Sequence, residues 1–252
     1  MDALELILQS LANQQLEGSF EVIIAEDNDS PQMRERVVEW KSQFPFSLLH
    51  VSHADRGFRK CVILNQAVLA SNAPYLIFVD GDCICHPKFI AAHLKYQQGK
   101  CVVYGRRAML SKKFTEYLYK TRKMPPYSFV KLWLSGCSRL DAALYLPLVK
   151  PENKKGFWGH NWSIQKTDLM MVHGFDEQYT QPGIGEDTDI EWRLEQFGVK
   201  FLRVKNLAVQ YHLWHNLNYQ STTDMESVLT SKKQDWEKEK RNEILMGSLR
   251  PA

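Results

Sequence analysis

The sequence has no apolar run of about 18 residues, which is the length that a membrane-spanning helix requires. The opening residues, Met1 to Glu5, also lack the basic region and the apolar stretch of a secretory signal. The five cysteines form no Cys-x-x-Cys pair, and their odd number leaves one thiol over in every disulfide scheme. These absences predict a cytoplasmic protein whose thiols serve mainly as small core residues.

Internal repeats, low-complexity segments and an extreme composition are absent as well. With 44% apolar residues in 252 positions, the chain can bury a substantial core in one large domain or two small ones. It shows no zinc-ligand spacing, no RNP-like aromatic motif and no helix-turn-helix pattern, so we expect no nucleic-acid partner. The composition is that of an ordinary globular protein and excludes disordered and fibrous classes.

The net charge is small, at +3, but it is unevenly distributed. Residues 106–155 contain twelve Lys or Arg and three Asp or Glu, a net of +9, which leaves −6 for the rest of the chain. Such a basic block attracts phosphate groups of nucleotides, nucleic acids or anionic lipids, and it is equally compatible with a solvated surface. The apolar stretches Tyr127–Trp133 and Leu144–Val149 lie inside it, so this segment is predicted to be a basic and apolar insert.

Short apolar runs alternate with segments of helical periodicity along the first 105 residues. The expected order is a helix from Asp2, a strand at 20–25, a helix from Pro31, a strand at Phe46–Val51, a helix from about Gly57 to Ser71, a strand at Tyr75–Val79, a helix from Pro87 and a strand at Cys101–Tyr104. This alternation predicts an α/β fold with a mainly parallel sheet flanked by helices, in which ligands gather at the carboxyl ends of strands.

The pattern is looser between residues 106 and 155, and elements are expected again after Gly156. They are short helices near Thr167–Val172 and Asp187–Phe197, strands near Val199–Val204 and Leu207–Tyr211, and a charged tail helix at Lys232–Glu243.

Asp80-Gly81-Asp82 follows the apolar strand Tyr75–Val79, so two carboxylates leave the sheet together at its carboxyl edge. Carboxylate oxygens are the ligands that Mg²⁺ and Mn²⁺ prefer. The triplet is a candidate metal site that also grips phosphate oxygens, although such triplets are also common as plain turns.

Two later motifs add a carboxylate pair and a histidine. Glu186 and Asp187 head a predicted helix, where acidic residues serve either as dipole-favoured caps or, for one of them, as a general base. His212 follows a predicted strand, and its imidazole would complete a carboxylate-rich site for Mn²⁺ or serve only a structural role.

Six motifs in one order give the sequence a resemblance to a known family. They are Glu26-Asp27-Asn28-Asp29-Ser30, Asp55-Arg56-Gly57-Phe58-Arg59 with Asn65, Asp80-Gly81-Asp82, Trp158-Gly159-His160-Asn161-Trp162-Ser163, Gly185-Glu186-Asp187 and Tyr211-His212. This order resembles the family-2 glycosyltransferases of the GT-A fold, a Rossmann-like nucleotide-diphospho-sugar transferase fold. It is most similar to their bacterial chondroitin-polymerase and galactosyltransferase-like branch.

The resemblance implies a role for each matching position. Asp27 would pair with the uracil ring, Arg59 would lie near the base and diphosphate, and Asp80 near the ribose and the metal. Asp82 and His212 would bind Mn²⁺ or Mg²⁺ directly. The remaining implied roles are Asp187 as catalytic base, Glu186 as acceptor-binding carboxylate, and Trp158, His160 and Asn161 as walls of the sugar and acceptor pocket.

The implied reaction is an inverting single displacement. A sugar would pass from a nucleotide-sugar, expected to be a UDP-sugar, to a glycan or lipid-linked glycan acceptor in surface polysaccharide synthesis. Because no covalent intermediate is needed, the lack of a Gly-x-Ser-x-Gly elbow or an evident Cys–His pair is compatible with it. Within one GT-A domain, residues 1–105 would bind the donor, 106–155 form an acceptor lid or a peripheral membrane contact, 156–222 carry catalysis, and 223–252 form a helical tail.

One departure from the family pattern bears on activity. Family members begin with a central strand of the type S-V-I-I-x-T-Y-N, whereas this sequence enters directly at the following helix. We therefore expect the sheet to lack its first strand, and a longer reading frame to supply it. The alternative function is an inactive partner subunit that binds nucleotide-sugar or glycan; a sugar-nucleotide pyrophosphorylase is disfavoured because its glycine-rich loop is absent.

Overall fold

The computed structural model describes residues 2–124, 128–183, 185–216 and 225–248, with side chains in the last range given for 226–238. Tyr127, at the start of the expected apolar stretch, and the expected boundary between residues 222 and 223 lie outside these ranges.

Nine α-helices, ten strands and one short 3₁₀ helix, at Leu140–Ala142, occur in the described residues. In chain order the α-helices and strands are α1 (Asp2–Ala12), β1 (Glu21–Glu26), α2 (Pro31–Gln43), β2 (Ser47–Ser52), α3 (Lys60–Ala70), β3 (Tyr75–Val79), β4 (Cys83–Cys85), α4 (Phe89–Lys95), β5 (Cys101–Tyr104), β6 (Arg106–Met109), α5 (Lys112–Thr121), α6 (Phe129–Leu134), β7 (Glu152–Asn153), β8 (Asn161–Gln165), α7 (Lys166–Met171), α8 (Glu186–Gln196), β9 (Lys200–Arg203), β10 (Val209–His212) and α9 (Met225–Ser248).

The strands form three sheets of two, three and five strands, in the orders β1-β2, β4-β10-β6 and β3-β8-β5-β9-β7. Helices cover the sheets on both sides, as expected for the α/β class. The ladders are more mixed than the expected mainly parallel sheet, since three strand pairs are parallel and four are antiparallel. The antiparallel pairs arise because β8 inserts between β3 and β5, and because the short β4 and β7 turn back on β10 and β9.

No ladder in the described residues joins the β1-β2 pair to the other sheets. Among the described strands, β1 pairs only with β2 and β3 only with β8, so each has one edge outside any described ladder. The start of β1 is instead tied to the turn before β3, where Glu21 accepts hydrogen bonds from the backbone of Asn72 and Ala73. The expectation that the sheet lacks a central strand stays a prediction.

Two hydrophobic cores lie on opposite faces of the central sheet. Strand β5 shows the division, since Val103 belongs to one core while Val102 and Tyr104 belong to the other. Alternate side chains of a strand point to opposite faces, so a strand covered on both sides must be apolar at every position. All four residues of β5 are buried accordingly.

Several sequence expectations are confirmed at the level of elements. The strand expected at 20–25 is β1, the capped helix from Pro31 is α2, and Ser30 accepts a hydrogen bond from the backbone of Met33 as its cap. All five cysteines are free and buried, in agreement with their expected role as core residues. Within the described part of the chain, no helix is both long enough and apolar enough to cross a membrane.

A buried polar cluster joins α4 to the middle of the central sheet. His93 is fully buried, and its ring nitrogens lie 2.7 Å from Ser163 Oγ and 3.1 Å from Asn161 Oδ1. The Asn161 amide also donates to the carbonyl of Ala208, at 3.0 Å, and its oxygen accepts from Gly105. Asn161 thus connects β8 with β10 and with the turn between β5 and β6.

Stability should fall as pH is lowered from about 6.5 toward 4, because burial lowers the pKa of His93 to about 4. The unfolded chain binds the proton more readily than the folded protein across this window. We expect His93→Asn to reduce the slope of unfolding free energy against pH by up to one proton, about 1.4 kcal/mol per pH unit. Urea denaturation at a series of pH values measures this slope.

His173→Asn is the matched control, because His173 is exposed and has a φ of 60°, which asparagine tolerates. This variant should leave the slope unchanged. A slope in His93→Asn equal to that of the wild type would contradict the prediction.

Candidate active site

The ends of β3 and β10 bring a carboxylate and two histidines together. Strand β4 runs antiparallel to β10 with Cys83 opposite His212, which places Asp82 beside the end of β10. Asp82 Oδ2 lies 3.2 Å from Nε2 of His212 and 3.2 Å from Nε2 of His215. Both imidazoles therefore face one carboxylate oxygen.

This trio has the donor chemistry of a transition-metal site. One ligand atom from each of Asp82, His212 and His215 lies within 4.8 Å of the others. A carboxylate oxygen with two imidazole nitrogens suits Mn²⁺ better than Ca²⁺, which prefers an all-oxygen shell. The residues present fit the divalent cation that the sequence predicted.

Electrostatics keep Asp82 ionised. Burial opposes its charge, but the hydrogen bond and charge of His212, the thiol of Cys83 and the charge of Arg107 together outweigh burial and hold the pKa of this carboxyl well below its usual range. Asp82 therefore stays an acceptor-only group at neutral pH, as a metal ligand must be.

Asp80 occupies a different electrostatic setting from Asp82. Arg107 Nη1 lies 3.1 Å from Asp80 Oδ2 and 4.0 Å from Asp82 Oδ1, and Lys60 Nζ lies 3.7 Å from Asp80 Oδ1. Among the described residues, possible ligand atoms of Asp80, Asp82 and Cys83 lie within 4.8 Å of one another, and no such group contains both Asp80 and His212. Two cations thus hold Asp80 at the rim of the metal trio.

Lys60 links this carboxylate to the head of α8. Its Nζ lies 3.6 Å from Glu186 Oε1. Burial opposes the charge of Lys60, but the nearby carboxylates, mainly Asp80 and Glu186, outweigh burial and raise the pKa of Lys60. Burial also raises the pKa of Glu186, against the opposing charge of Lys60. The three side chains form one charged network across the site.

Asp187 follows Glu186 in the first turn of α8, which begins after Gly185 at a φ of 100°, a conformation that favours glycine. Asp187 Oδ2 accepts the backbone N–H of Gly159 at 3.0 Å, and Oδ1 accepts that of Thr188. A cavity opens here, lined by Lys60, Asp80, Gly159, Glu186 and Asp187 and floored by Phe78, Phe157, Trp162 and Phe175. A half-buried carboxylate in such a cavity can accept a proton from a bound hydroxyl.

Asp27 and Arg59 lie together at the end of β1. Asp27 Oδ2 accepts the backbone N–H of Arg59 at 2.7 Å, and Oδ1 lies 2.8 Å from His53 Nε2. The carboxylate thereby fixes the residue that precedes α3.

The three residues expected to shape the sugar pocket have different surroundings. Trp158 is 42% exposed. His160 is buried, Gln210 Oε1 lies 3.1 Å from its Nδ1, and burial lowers its pKa to about 4, so the ring is neutral at pH 7. Asn161 is fully buried, and both its amide oxygen and its amide nitrogen form hydrogen bonds with the protein backbone. It therefore holds neighbouring backbone in place instead of facing a ligand.

Sequence reasoning missed Lys60 and Arg107, and it assigned no role to His215. Lys60 follows Arg59 and belongs to no recognisable sequence motif. Arg107 is one of twelve basic residues in the segment 106–155, and nothing in the sequence distinguishes it from the others. The one usable clue was the spacing of His212 and His215, whose ring centroids lie 5.0 Å apart in the structure.

Two models of known protein families match this chain. One described as Glycosyl transferase family 2 matches residues 2–169, and one described as the N-terminal domain of galactosyltransferase matches residues 146–216. Among curated relatives, the chondroitin synthase of Escherichia coli is 23% identical over 226 residues, which cover 83% of this chain and 32% of that protein. The chain thus spans about a third of the length of this relative.

Solved structures show the same fold. The structure of Staphylococcus aureus TarS 1–349 in complex with UDP-GlcNAc matches with a TM-score of 0.62 and 12% identity, covering 92% of this chain and 63% of that one. The structure of GalNAc-T7 with UDP, GalNAc and Mn²⁺ matches with a TM-score of 0.59 and 10% identity, covering 86% and 42%. The GT-A fold expected from the motifs is confirmed.

Proposed function

Because the chain belongs to glycosyl transferase family 2, we propose that it moves a sugar from a UDP-sugar to a glycan or lipid-linked glycan acceptor, with inversion at the anomeric carbon. The observation that carries the proposal is that Asp80 and Asp187 line one cavity, while Arg107 connects Asp80 to Asp82 of the candidate metal trio with His212 and His215. Relatives and neighbours named for glycan synthesis or solved with UDP-sugars support the donor class.

The proposed mechanism assigns each side chain one task. Asp27 orients the base, and Arg59 neutralises charge on the diphosphate. Asp82, His212 and His215 would hold a divalent cation, whose chemistry is Lewis-acid stabilisation of the departing diphosphate. Asp187 accepts the proton of the acceptor hydroxyl as it attacks.

Lys60 and Glu186 act around this centre. Glu186 would accept a hydrogen bond from a second hydroxyl of the acceptor, and Lys60 holds it in place while sharing its charge with Asp80. Fixed charges in a cavity stabilise a charged transition state without having to reorganise during the reaction.

Nucleotide release tests the proposal directly. The protein is incubated with Mn²⁺ and a panel of UDP- and GDP-sugars, with and without glycan acceptors, and the nucleoside diphosphate formed is measured. Release that depends on both Mn²⁺ and one donor supports a transferase. Tight donor binding by calorimetry with no release under any acceptor would favour the inactive partner subunit instead.

A lipid-linked acceptor would place the protein at a membrane surface, and α6 offers a face for that contact. Its side chains Phe129, Val130, Trp133 and Leu134 are 43%, 58%, 63% and 73% exposed. The end of α6 adjoins the start of α5, since Ser111 Oγ donates to the carbonyl of Ser135. Lys131 on α6 and Lys112 and Lys113 at the start of α5 are exposed as well, and exposed basic and apolar side chains together suit an anionic bilayer.

We expect co-sedimentation with phosphatidylglycerol vesicles that exceeds binding to phosphatidylcholine vesicles and weakens with salt. Lys131→Glu should lower binding at low salt by about fivefold or more, since a basic residue near such a surface contributes about 1 kcal/mol. Arg122 is a poor target because it pairs with Asp2. Leu69→Ser, at an apolar residue of α3 that is 66% exposed, is the control and should bind as the wild type does. Equal, negligible binding to both vesicle types would exclude the contact.

A further inference from the structure

Two arginines flank an exposed tryptophan next to the proposed base. The guanidinium carbon of Arg106 lies 4.7 Å from the centroid of the Trp158 ring, and that of Arg139 lies 5.3 Å from it. Trp158 is nevertheless 42% exposed. A large aromatic ring that two cations contact and that water still reaches is a surface built for a ligand more than for the core.

The ring of Trp158 together with Arg106 and Arg139 is called the platform below. The loop contacts hold it in a fixed position. Glu191 on α8 accepts the backbone N–H groups of Gly156 and Phe157, at 2.6 and 2.8 Å. Arg106 donates to the carbonyl of Gly156 and lies 5.0 Å from the ring of Tyr104. The loop that carries Trp158 is therefore anchored on both sides, which reduces the entropy lost when a ligand binds.

The local charge is positive and incompletely balanced. Arg139 has no carboxylate within 4.0 Å in the part of the chain that the structure describes. Burial lowers the pKa of Arg106; the charges of Arg203 and Arg139 act in the same direction, and those of Tyr104 and Glu191 oppose them. The carboxylate of Glu191 is already engaged by two backbone N–H groups. An anion placed over this platform would relieve the repulsion between the arginines.

The platform also adjoins the reaction centre on the acceptor side. Gly159, the residue after Trp158, donates its N–H to Asp187. A sugar stacked on Trp158 would therefore lie next to the proposed base, while the donor-binding residues Asp27 and Arg59 lie at the end of β1.

We propose that Trp158, Arg106 and Arg139 form an acceptor subsite for a sugar that carries an anionic group, either a carboxylate or a phosphate ester. The proposal rests on the proposed transferase function. The indole ring packs against the apolar face of the sugar, and the guanidinium groups bind the anion through charge-assisted hydrogen bonds.

Direct binding tests the subsite without requiring turnover. Saturation-transfer NMR with UDP and Mn²⁺ present compares methyl β-glucuronide with methyl β-glucoside, and glucose 6-phosphate with glucose. Each charged sugar has a neutral counterpart of nearly the same shape. We expect the charged member of at least one pair to bind about tenfold tighter or more, as a charged hydrogen bond would provide. The pair that shows the larger preference identifies the anion.

Arg139→Gln should remove most of that preference while leaving binding of the neutral sugars and of the UDP-sugar unchanged. Trp158→Ala should weaken binding of both members of a pair. Lys150→Gln removes an equal charge from an exposed position of the same basic block and serves as the control. Arg106 is left intact because it supports the loop.

Equal binding of charged and neutral sugars, including no binding of either, overturns the subsite. A loss of UDP-sugar affinity in Arg139→Gln also overturns it, because the platform would then serve the donor. Failure of the transferase proposal is separate, since it would appear as absent nucleotide release while the charge preference in binding persists.

Discussion

Asp187→Asn is expected to lower kcat for sugar transfer by about 10²–10⁴-fold while the Kd of the UDP-sugar stays unchanged. The amide cannot accept the hydroxyl proton, whereas the residues proposed to hold the donor lie at the ends of other strands. Pre-steady-state transfer and calorimetric donor binding measure the two quantities separately.

The substitution carries a structural side effect that must be controlled. Asp187 accepts two backbone N–H groups, from Gly159 and Thr188, and asparagine retains only one side-chain oxygen to do so. Thermal unfolding should therefore be recorded alongside. Glu195→Gln, on the same helix and paired with Lys155 at the surface, is the matched control and should transfer as the wild type does. Transfer by Asp187→Asn within about twofold of the wild type would exclude Asp187 as the base.

Asp82→Ala is expected to abolish Mn²⁺ binding and to reduce turnover by about 10³-fold or more, the equivalent of about 4 kcal/mol in the activation barrier. The variant removes the one carboxylate that both His212 and His215 face. Electron paramagnetic resonance of free Mn²⁺ measures the binding, and nucleotide release measures the turnover.

His212→Ala should be severe as well, because its imidazole is the buried member of the trio. Asp235→Ala, an exposed carboxylate of α9, controls for a general change of charge. Full activity of Asp82→Ala in EDTA buffer would end the metal hypothesis.

The sequence was sufficient for elements that carry a clear local signal. The run Tyr75–Val79 was recognisable as a strand because every position is apolar, and α2 because Ser30 and Pro31 mark its start. It was insufficient for strand direction. Strand β8 was not among the predicted elements, and its antiparallel insertion between β3 and β5 depends on tertiary packing.

The site was predictable where local sequence creates it and unpredictable where tertiary contacts do. Asp82 and Asp187 could be placed because each follows a recognisable element boundary. Lys60 could not, because its meaning depends on Asp80 and Glu186, which lie 20 and 126 positions further along the chain. Asn161 was expected in the pocket from its motif, and only the packing of β8 against β5 and β10 shows that its amide is engaged by the protein.

The break between the β1-β2 pair and the other sheets bears on how the molecule opens. Asp27 and Arg59 belong to the part built from β1, β2 and α3, whereas Asp82 and His212 follow β3 and β10, and no ladder among the described residues joins the two parts. Amide hydrogens of β1 should therefore exchange with solvent through local opening, well before those of β5. A nucleotide that contacts both parts would connect them. Donor binding should therefore slow hydrogen exchange in β1 far more than in β5.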